Sequence, residues 1–192
     1  MNLYPAAAYL RHLLTARSTA GHGVHSPYVY DFLTKVVRNK TDVKIVRQVE
    51  SLRRAMLSDK RSIRVTDLGA GSVTKAGGQR SLSEIARTAA VPAKEAGLLA
   101  RMVSRSAFRI PGDGIILELG TSLGISTLAL ALAAPERRVI TVEGCPVLAS
   151  IARENLKRHG APNAEVLNME FSAALENLKK DGLSVSFAFI DG

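Results

Sequence analysis

Residues 118–127 read ELGTSLGIST, and they are the part of this chain whose residue types and spacing most plainly suit chemistry. Gly120 and Gly124 flank a turn that must open a helix containing Ser126 and Thr127. Glycine suits such a turn because the backbone has to bend sharply and approach a ligand where a β-carbon would collide. A turn of this kind aims free backbone N–H groups at the space above the strand ends, where open α/β sheets bind polar or anionic ligands. The pattern is E-x-G-x-x-x-G, beginning with the strand carboxylate Glu118, and not the G-x-G-x-x-G of a dinucleotide site. A second carboxylate, Glu143, ends the next apolar run in VITVEGCP, where it can accept hydrogen bonds from both hydroxyls of a ribose.

Each of these residues also has a plainer reading. Glu118 can be a strand-end carboxylate capping nearby backbone donors, Glu143 an exposed residue that starts a loop, and the glycines a helix-opening turn without a ligand. Asp191, in FAFIDG, is either a group at the reacting centre or half of a turn-forming Asp-Gly pair. DLGAGS (67–72) has the form of a second glycine turn, but VTKAGGQR follows it where a cofactor turn needs an apolar helix. It therefore reads as a loop near the substrate entrance, with Lys75 and Arg80 able to meet an acidic substrate or simply to be solvated. His12, His22 and His25 sit around a glycine-broken segment without cysteine or an adjacent carboxylate, which favours capping or pocket hydrogen bonds over a metal site.

The elements that must position these groups follow from periodicity. Strand Ile115–Leu119 is followed by helix 125–134, strand 138–142 by helix 147–159, strand Ala164–Leu167 by helix 172–180, and strand Val185–Ile190 comes last. Such alternation predicts parallel strands with right-handed helical crossovers, a Rossmann-like doubly wound α/β sheet. Before it, helices are expected over 6–16, 27–38, 43–57 and 92–106, with a capping signature at Ser81 and Glu84 and a long loop over 61–80. The organisation expected is a basic helical segment, 1–106, containing that Gly/Ser-rich loop, ahead of a ligand-binding half-domain, 107–192.

The 46% hydrophobic content is enough for a real core, and the net charge of +9 is uneven. Residues 1–110 hold 19 Lys and Arg against 7 Asp and Glu; the remainder holds 7 against 10. The basic half can attract nucleic acid or another anion, although basic helices are more often only solvated, so a nucleic-acid partner is possible and not favoured. A single cysteine, Cys145, permits no intramolecular disulfide and fits a reducing cytoplasm. The apolar run 3–10 is cut by Arg11 and His12 and is neither a signal peptide nor a membrane span.

ELGTSLGIST followed by TVEGCP resembles motifs one and two of class I S-adenosylmethionine-dependent methyltransferases, especially the O-methyltransferase-like branch, and FAFIDG is similar to that branch's fourth-strand ending. GHGVHSPYVYDF and DLGAGS resemble strings of a bacterial subgroup. The resemblance implies that Gly120, Ser122 and Gly124 line the methionine part of S-adenosylmethionine, with Glu118 at its amino group and Ser126 at its carboxylate. Glu143 would take the ribose, Gly144 and Cys145 would border the adenine, and Asp191 would stand near the sulfonium or a metal. Met169 and Glu170 in NMEFSAAL depart from the family's pattern, which leaves Phe171 and Ser172 as adenine candidates.

The resemblance further implies a seven-stranded sheet, whereas four strands are read between Ile115 and Ile190. A truncated frame, a fragment or a chain completed by another segment is therefore expected, with SFAFI as an unpaired apolar edge. The leading functional expectation is methyl transfer to a hydroxyl or similar acceptor on a small molecule. The alternatives are an RNA methyltransferase that uses its basic segment on phosphates, and a non-catalytic cofactor-binding fragment; a nicotinamide-dependent oxidoreductase is weakest because its glycine spacing is absent.

Overall fold

The computed structural model describes residues 26–66, 78–104 and 113–191. These fall into two compact units divided after Asn39. In the first, helix α1 (Pro27–Asp31) starts at Ser26, whose Oγ accepts the Val29 N–H, and runs on as a π-helical turn over Phe32–Val37. An Asp31–Lys35 ion pair at 2.7 Å spans the junction. DLGAGS and the three N-terminal histidines lie outside the described residues, and so does the expected helix 6–16.

The second unit begins with α2 (Val43–Ser58), capped by the Asp42 carboxylate on the Lys44 N–H and buried along Val49, Leu52 and Met56, the helical stripe legible in the sequence. Short strands β1 (Ser62–Arg64) and β2 (Gln79–Ser81) pair antiparallel, so the two ends of the segment expected to be a loop are joined by a ladder. A three-residue strand has no apolar alternation to announce it, and its partner is fifteen or more residues away. Helix α3 (Leu82–Thr88) follows, with Ser81 Oγ accepting the Glu84 N–H at 3.1 Å as its capping signature predicted. Helix α4 (Ala93–Val103) opens after Pro92.

The sheet is four parallel strands in the order β5-β4-β3-β6: β3 (Ile115–Leu119), β4 (Val139–Val142), β5 (Ala164–Leu167) and β6 (Val185–Ile190). Its crossovers are α5 (Ile125–Ala133), α6 (Pro146–Arg158) and α7 (Phe171–Lys180). β3 is buried along its whole length, as a central parallel strand must be, and every residue of β4 is buried as well. Ile116, Val139, Val166, Phe187 and Phe189 face a core shared with α5, α6 and also α2, α3 and α4. This core draws on residues up to Val103 and from Ile116 onward alike. Ile115, Leu117, Leu119, Ile140 and Val142 face the other way, onto Ala174 and Leu178 of α7.

The two sheet edges differ. Arg153 donates to the Val166 carbonyl at 2.8 Å and so occupies a backbone group of β5. β6 pairs only with β3 among the described residues, and Ile190 at its end is 70% exposed. α6 ends as its Gly160 and Pro162 suggested: the Gly160 N–H reaches the Lys157 carbonyl at 3.3 Å and the Ala161 N–H the Leu156 carbonyl at 3.0 Å, a Schellman pair. No helix among the described residues is long and apolar enough to cross a membrane.

Candidate functional site at the carboxyl ends of the strands

The chain leaves β3 toward β4 on one side and has β6 beside it on the other, so the crevice beyond the carboxyl ends of β3 and β6 is the switch point where open α/β sheets bind ligands. Gly120, with φ +102°, makes the exit and donates its N–H to the Val142 carbonyl at 3.0 Å. The chain then turns through Ser122, whose φ of +48° is unusual for a residue with a side chain, and Gly124, with φ +78°. The Gly124 N–H closes the turn on the Thr121 carbonyl at 2.9 Å. Gly124 is also the N-cap of α5 and has no side chain to cap it, so the first-turn amides, including that of Ser126, have no intrahelical partner.

Glu143 follows β4 and reaches back across the strand ends. One carboxylate oxygen accepts the Ser122 N–H at 2.8 Å and the other the Cys145 N–H at 2.9 Å. Asn168, just past β5, donates to the carbonyls of Glu143 and Gly144 at 2.7 and 3.1 Å and fixes the loop that carries them. Cys145 is a buried, free thiol in that loop.

Glu118 is completely buried. The register sets it beside Thr141 of β4, whose hydroxyl donates to Oε2 at 2.6 Å; Thr127 of α5 donates to the same oxygen. Thr121 and Thr141 join their hydroxyls at 2.6 Å. Oε1 has no hydrogen-bond partner among the described residues. Burial raises the Glu118 carboxyl above its ordinary range, the hydroxyls of Ser126, Thr127 and Thr141 pull it back, and the charge of Asp191 pushes it up again. Ser122 Oγ is likewise buried without a hydrogen-bond partner among the described residues.

Asp191 donates its backbone N–H to the Leu119 carbonyl at 2.9 Å, which places it at the lip of the same crevice. Partial burial first, and then the charge of Glu95 on α4, raise its carboxyl. Among the described residues no group of three or more His, Cys, Asp or Glu is assembled to hold a metal ion. The structure thus gathers Glu118, Gly120, Ser122, Gly124, Ser126, Glu143, Gly144 and Asp191 around one crevice. Phe171 starts α7 and is half-buried against the second core, and Ser172 is exposed. Arg80 donates to the Thr88 hydroxyl at 2.8 Å and stands near Glu84 at 3.9 Å.

Sequence reading missed Thr121, Thr127, Thr141, Asn155 and Asn168. The threonines look like ordinary strand and helix residues, and their role exists only once β3, β4 and α5 are side by side. Asn168 carried a usable signal, a turn-forming residue directly after a strand.

An O-methyltransferase family model matches residues 79–192, more than half of the chain. The release factor glutamine methyltransferase of Vibrio cholerae is 38% identical over 74 residues, a stretch covering 38% of this chain and 26% of that protein. Among solved structures, an O-methyltransferase from Bacillus cereus in complex with SAH superposes with a TM-score of 0.51 at 23% identity, covering 85% of this chain and 60% of that one. An SAH-bound methyltransferase from Podospora anserina gives 0.50 at 15% identity, covering 88% and 61%. At these identities the likeness is one of fold, and this chain spans about three-fifths of the length of either structure. With a parallel sheet of that fold and a family match running through the glycine turn, the paired carboxylates and the last strand, this chain belongs to the O-methyltransferase family.

Proposed function

We propose that this protein binds S-adenosylmethionine in the crevice beyond β3, β4 and β6 and serves the transfer of its methyl group to a hydroxyl on a small molecule. The observation that carries the reading is Glu143, a carboxylate at the end of β4 that joins the glycine turn to the loop after β4, the place where a ligand's vicinal diol would meet it. The rest of the crevice fits the same ligand. The uncapped first turn of α5 offers N–H groups to a carboxylate, and the orphaned Ser122 Oγ and Glu118 Oε1 are buried polar atoms that gain from a polar ligand. Gly144, in the loop after β4, and Phe171, at the start of α7, are the candidates for the adenine.

The cofactor supplies a methyl group on a good leaving group, so little covalent help is needed and the protein's share is alignment and exclusion of water. Glu143 and the turn orient the ligand, and Gly120, having no β-carbon, lets it come close. Asp191 at the crevice lip, with its carboxyl raised, is suited to take a proton from an acceptor hydroxyl. Other proteins of the fold have been crystallised with SAH, which agrees with this reading.

Calorimetric titration of the chain with S-adenosylmethionine, SAH and NAD tests it. Binding of the first two and not the third is expected; saturable binding of NAD alone overturns the assignment. Transfer of a labelled methyl group to a panel of phenolic and aliphatic hydroxyl compounds tests the acceptor class, and labelling of added RNA instead would transfer the assignment to the nucleic-acid alternative.

A further inference from the structure

The glycine turn is fastened from beneath as well as from the side. Asn155 of α6 is 4% exposed, and its Nδ2 donates to the Leu123 carbonyl at 3.0 Å and to Met56 Sδ of α2 at 3.5 Å. Both neighbours are acceptors, so the amide nitrogen has to face them. Leu123 lies between two residues in left-handed conformations, Ser122 and Gly124. The peptide joining Leu123 to Gly124 is therefore held at both ends, its carbonyl by Asn155 and its N–H by the Thr121 carbonyl at 2.9 Å. One helical turn back on α6, Ala152 packs under Gly124, with its Cβ 3.5 Å from where a glycine β-carbon would stand.

We propose that Asn155 is a positioning residue for the cofactor turn: its side-chain amide holds the Leu123 carbonyl toward α6 and so keeps the Leu123–Gly124 peptide from rotating that carbonyl into the crevice. Without that donor the carbonyl of Leu123, a residue 1% exposed, would lose the side-chain donor it has among the described residues, and buried carbonyls are rarely left so. Rotation of the peptide would relieve it. The same rotation would break the Gly124 to Thr121 bond and turn the carbonyl toward the ligand. The inference also joins α2 to the turn, because Met56 is the second acceptor of the same amide. It rests on the reading of the turn as a cofactor site.

The test compares the wild-type chain with Asn155→Leu, which keeps the branching and the number of side-chain heavy atoms and loses the donor, and Asn155→Asp, which is nearly isosteric and donates only when protonated. S-adenosylmethionine affinity is measured by calorimetry between pH 5 and 8, and amide hydrogen exchange is followed residue by residue without ligand. Asn155→Leu is expected to weaken binding roughly 5- to 30-fold, the factor that one lost buried hydrogen bond commonly makes in an equilibrium. Asn155→Asp should bind weakly at pH 8 and regain affinity as pH falls and its carboxyl becomes a donor. His159, Glu118 and Asp191 titrate in all three proteins, so the difference from wild type isolates the new carboxyl. Exchange at Gly124 should quicken while amides of β4 do not.

Wild-type affinity in both variants, or exchange accelerated equally across β3 and β4, overturns the proposal. Should Asn155→Leu not fold, the pH profile of Asn155→Asp decides. Should the wild-type chain itself bind no S-adenosylmethionine, the cofactor reading fails, and selective exchange at Gly124 still decides whether Asn155 holds the turn.

Discussion

Replacing Glu143 by alanine removes one carboxylate that accepts two backbone N–H groups, at 2.8 Å from Ser122 and 2.9 Å from Cys145. Hydrogen bonds to a charged acceptor contribute about 1.5–3 kcal/mol each, and the upper end applies only when the donor left behind stays dry. Glu143 is half-buried at the crevice, so water can reach the abandoned N–H groups in part. The expected loss of folding stability is therefore about 2–3 kcal/mol rather than the sum of two full bonds. For a domain of this size that lowers Tm by roughly 5–10 °C. Under the cofactor reading the ligand's hydroxyls lose their acceptor too, so binding should weaken by about 1–3 kcal/mol measured on the fraction that is folded. Glu143→Gln keeps one oxygen and faces the second N–H with another donor, so it should recover no more than about half of the stability. Urea unfolding of both variants, followed by calorimetric titration below their Tm, separates the two effects. Unchanged stability in Glu143→Ala would refute the latch between the glycine turn and the loop after β4, and unchanged affinity would remove Glu143 from the ligand's contacts.

Gly124→Ala should cost about 1–2 kcal/mol of stability, set by its φ of +78° and not by a clash, because the nearest atoms to the added carbon are 3.5–3.6 Å away; a loss above about 4 kcal/mol by chemical denaturation would mean that the space argument fails. Burial raises the Glu118 carboxyl, so above the ordinary glutamate value of about 4.3 the unfolded chain gives up this proton before the folded one does, and stability is lost as pH rises toward the folded-state pKa. Glu118→Gln removes that slope, so the stability difference between the two proteins should change between pH 4 and 8, and parallel curves would contradict a raised carboxyl. Asn163 aims its Nδ2 at the carbonyls of Ala131, Ala134 and Arg137, at 3.1, 3.1 and 2.9 Å, at the end of the sheet away from the crevice. Its replacement by alanine should lower stability by about 1–3 kcal/mol while leaving cofactor affinity unchanged, as thermal unfolding and titration together would show.

The sequence by itself determined the alternation of strands and helices from Ile115 onward, because a buried parallel strand is a short apolar run and a crossover helix is an amphipathic stretch, both local patterns. β3, β5 and β6 have the bounds their apolar runs implied. The glycine turn was legible for a similar reason: Gly120 and Gly124 adopt backbone angles that few other residues accept, so their need is written in residue type. Helix starts at Ser81 and Pro92 were equally local. The carboxylates were found as positions, not as environments. Nothing in ELG announces that Glu118 would be wholly buried, since that follows from the pairing of β3 with β4 and the placement of Thr127 over it. Only the tertiary structure decided that Glu143 holds Ser122 as well as Cys145, that Asn155 and Met56 reach the turn from two different helices, and that β1 meets β2 across the 61–80 segment. Apart from the local bond to Cys145, these contacts join residues 15 to about 100 positions apart, and their energy depends on which faces come together in space, a quantity no window of sequence contains.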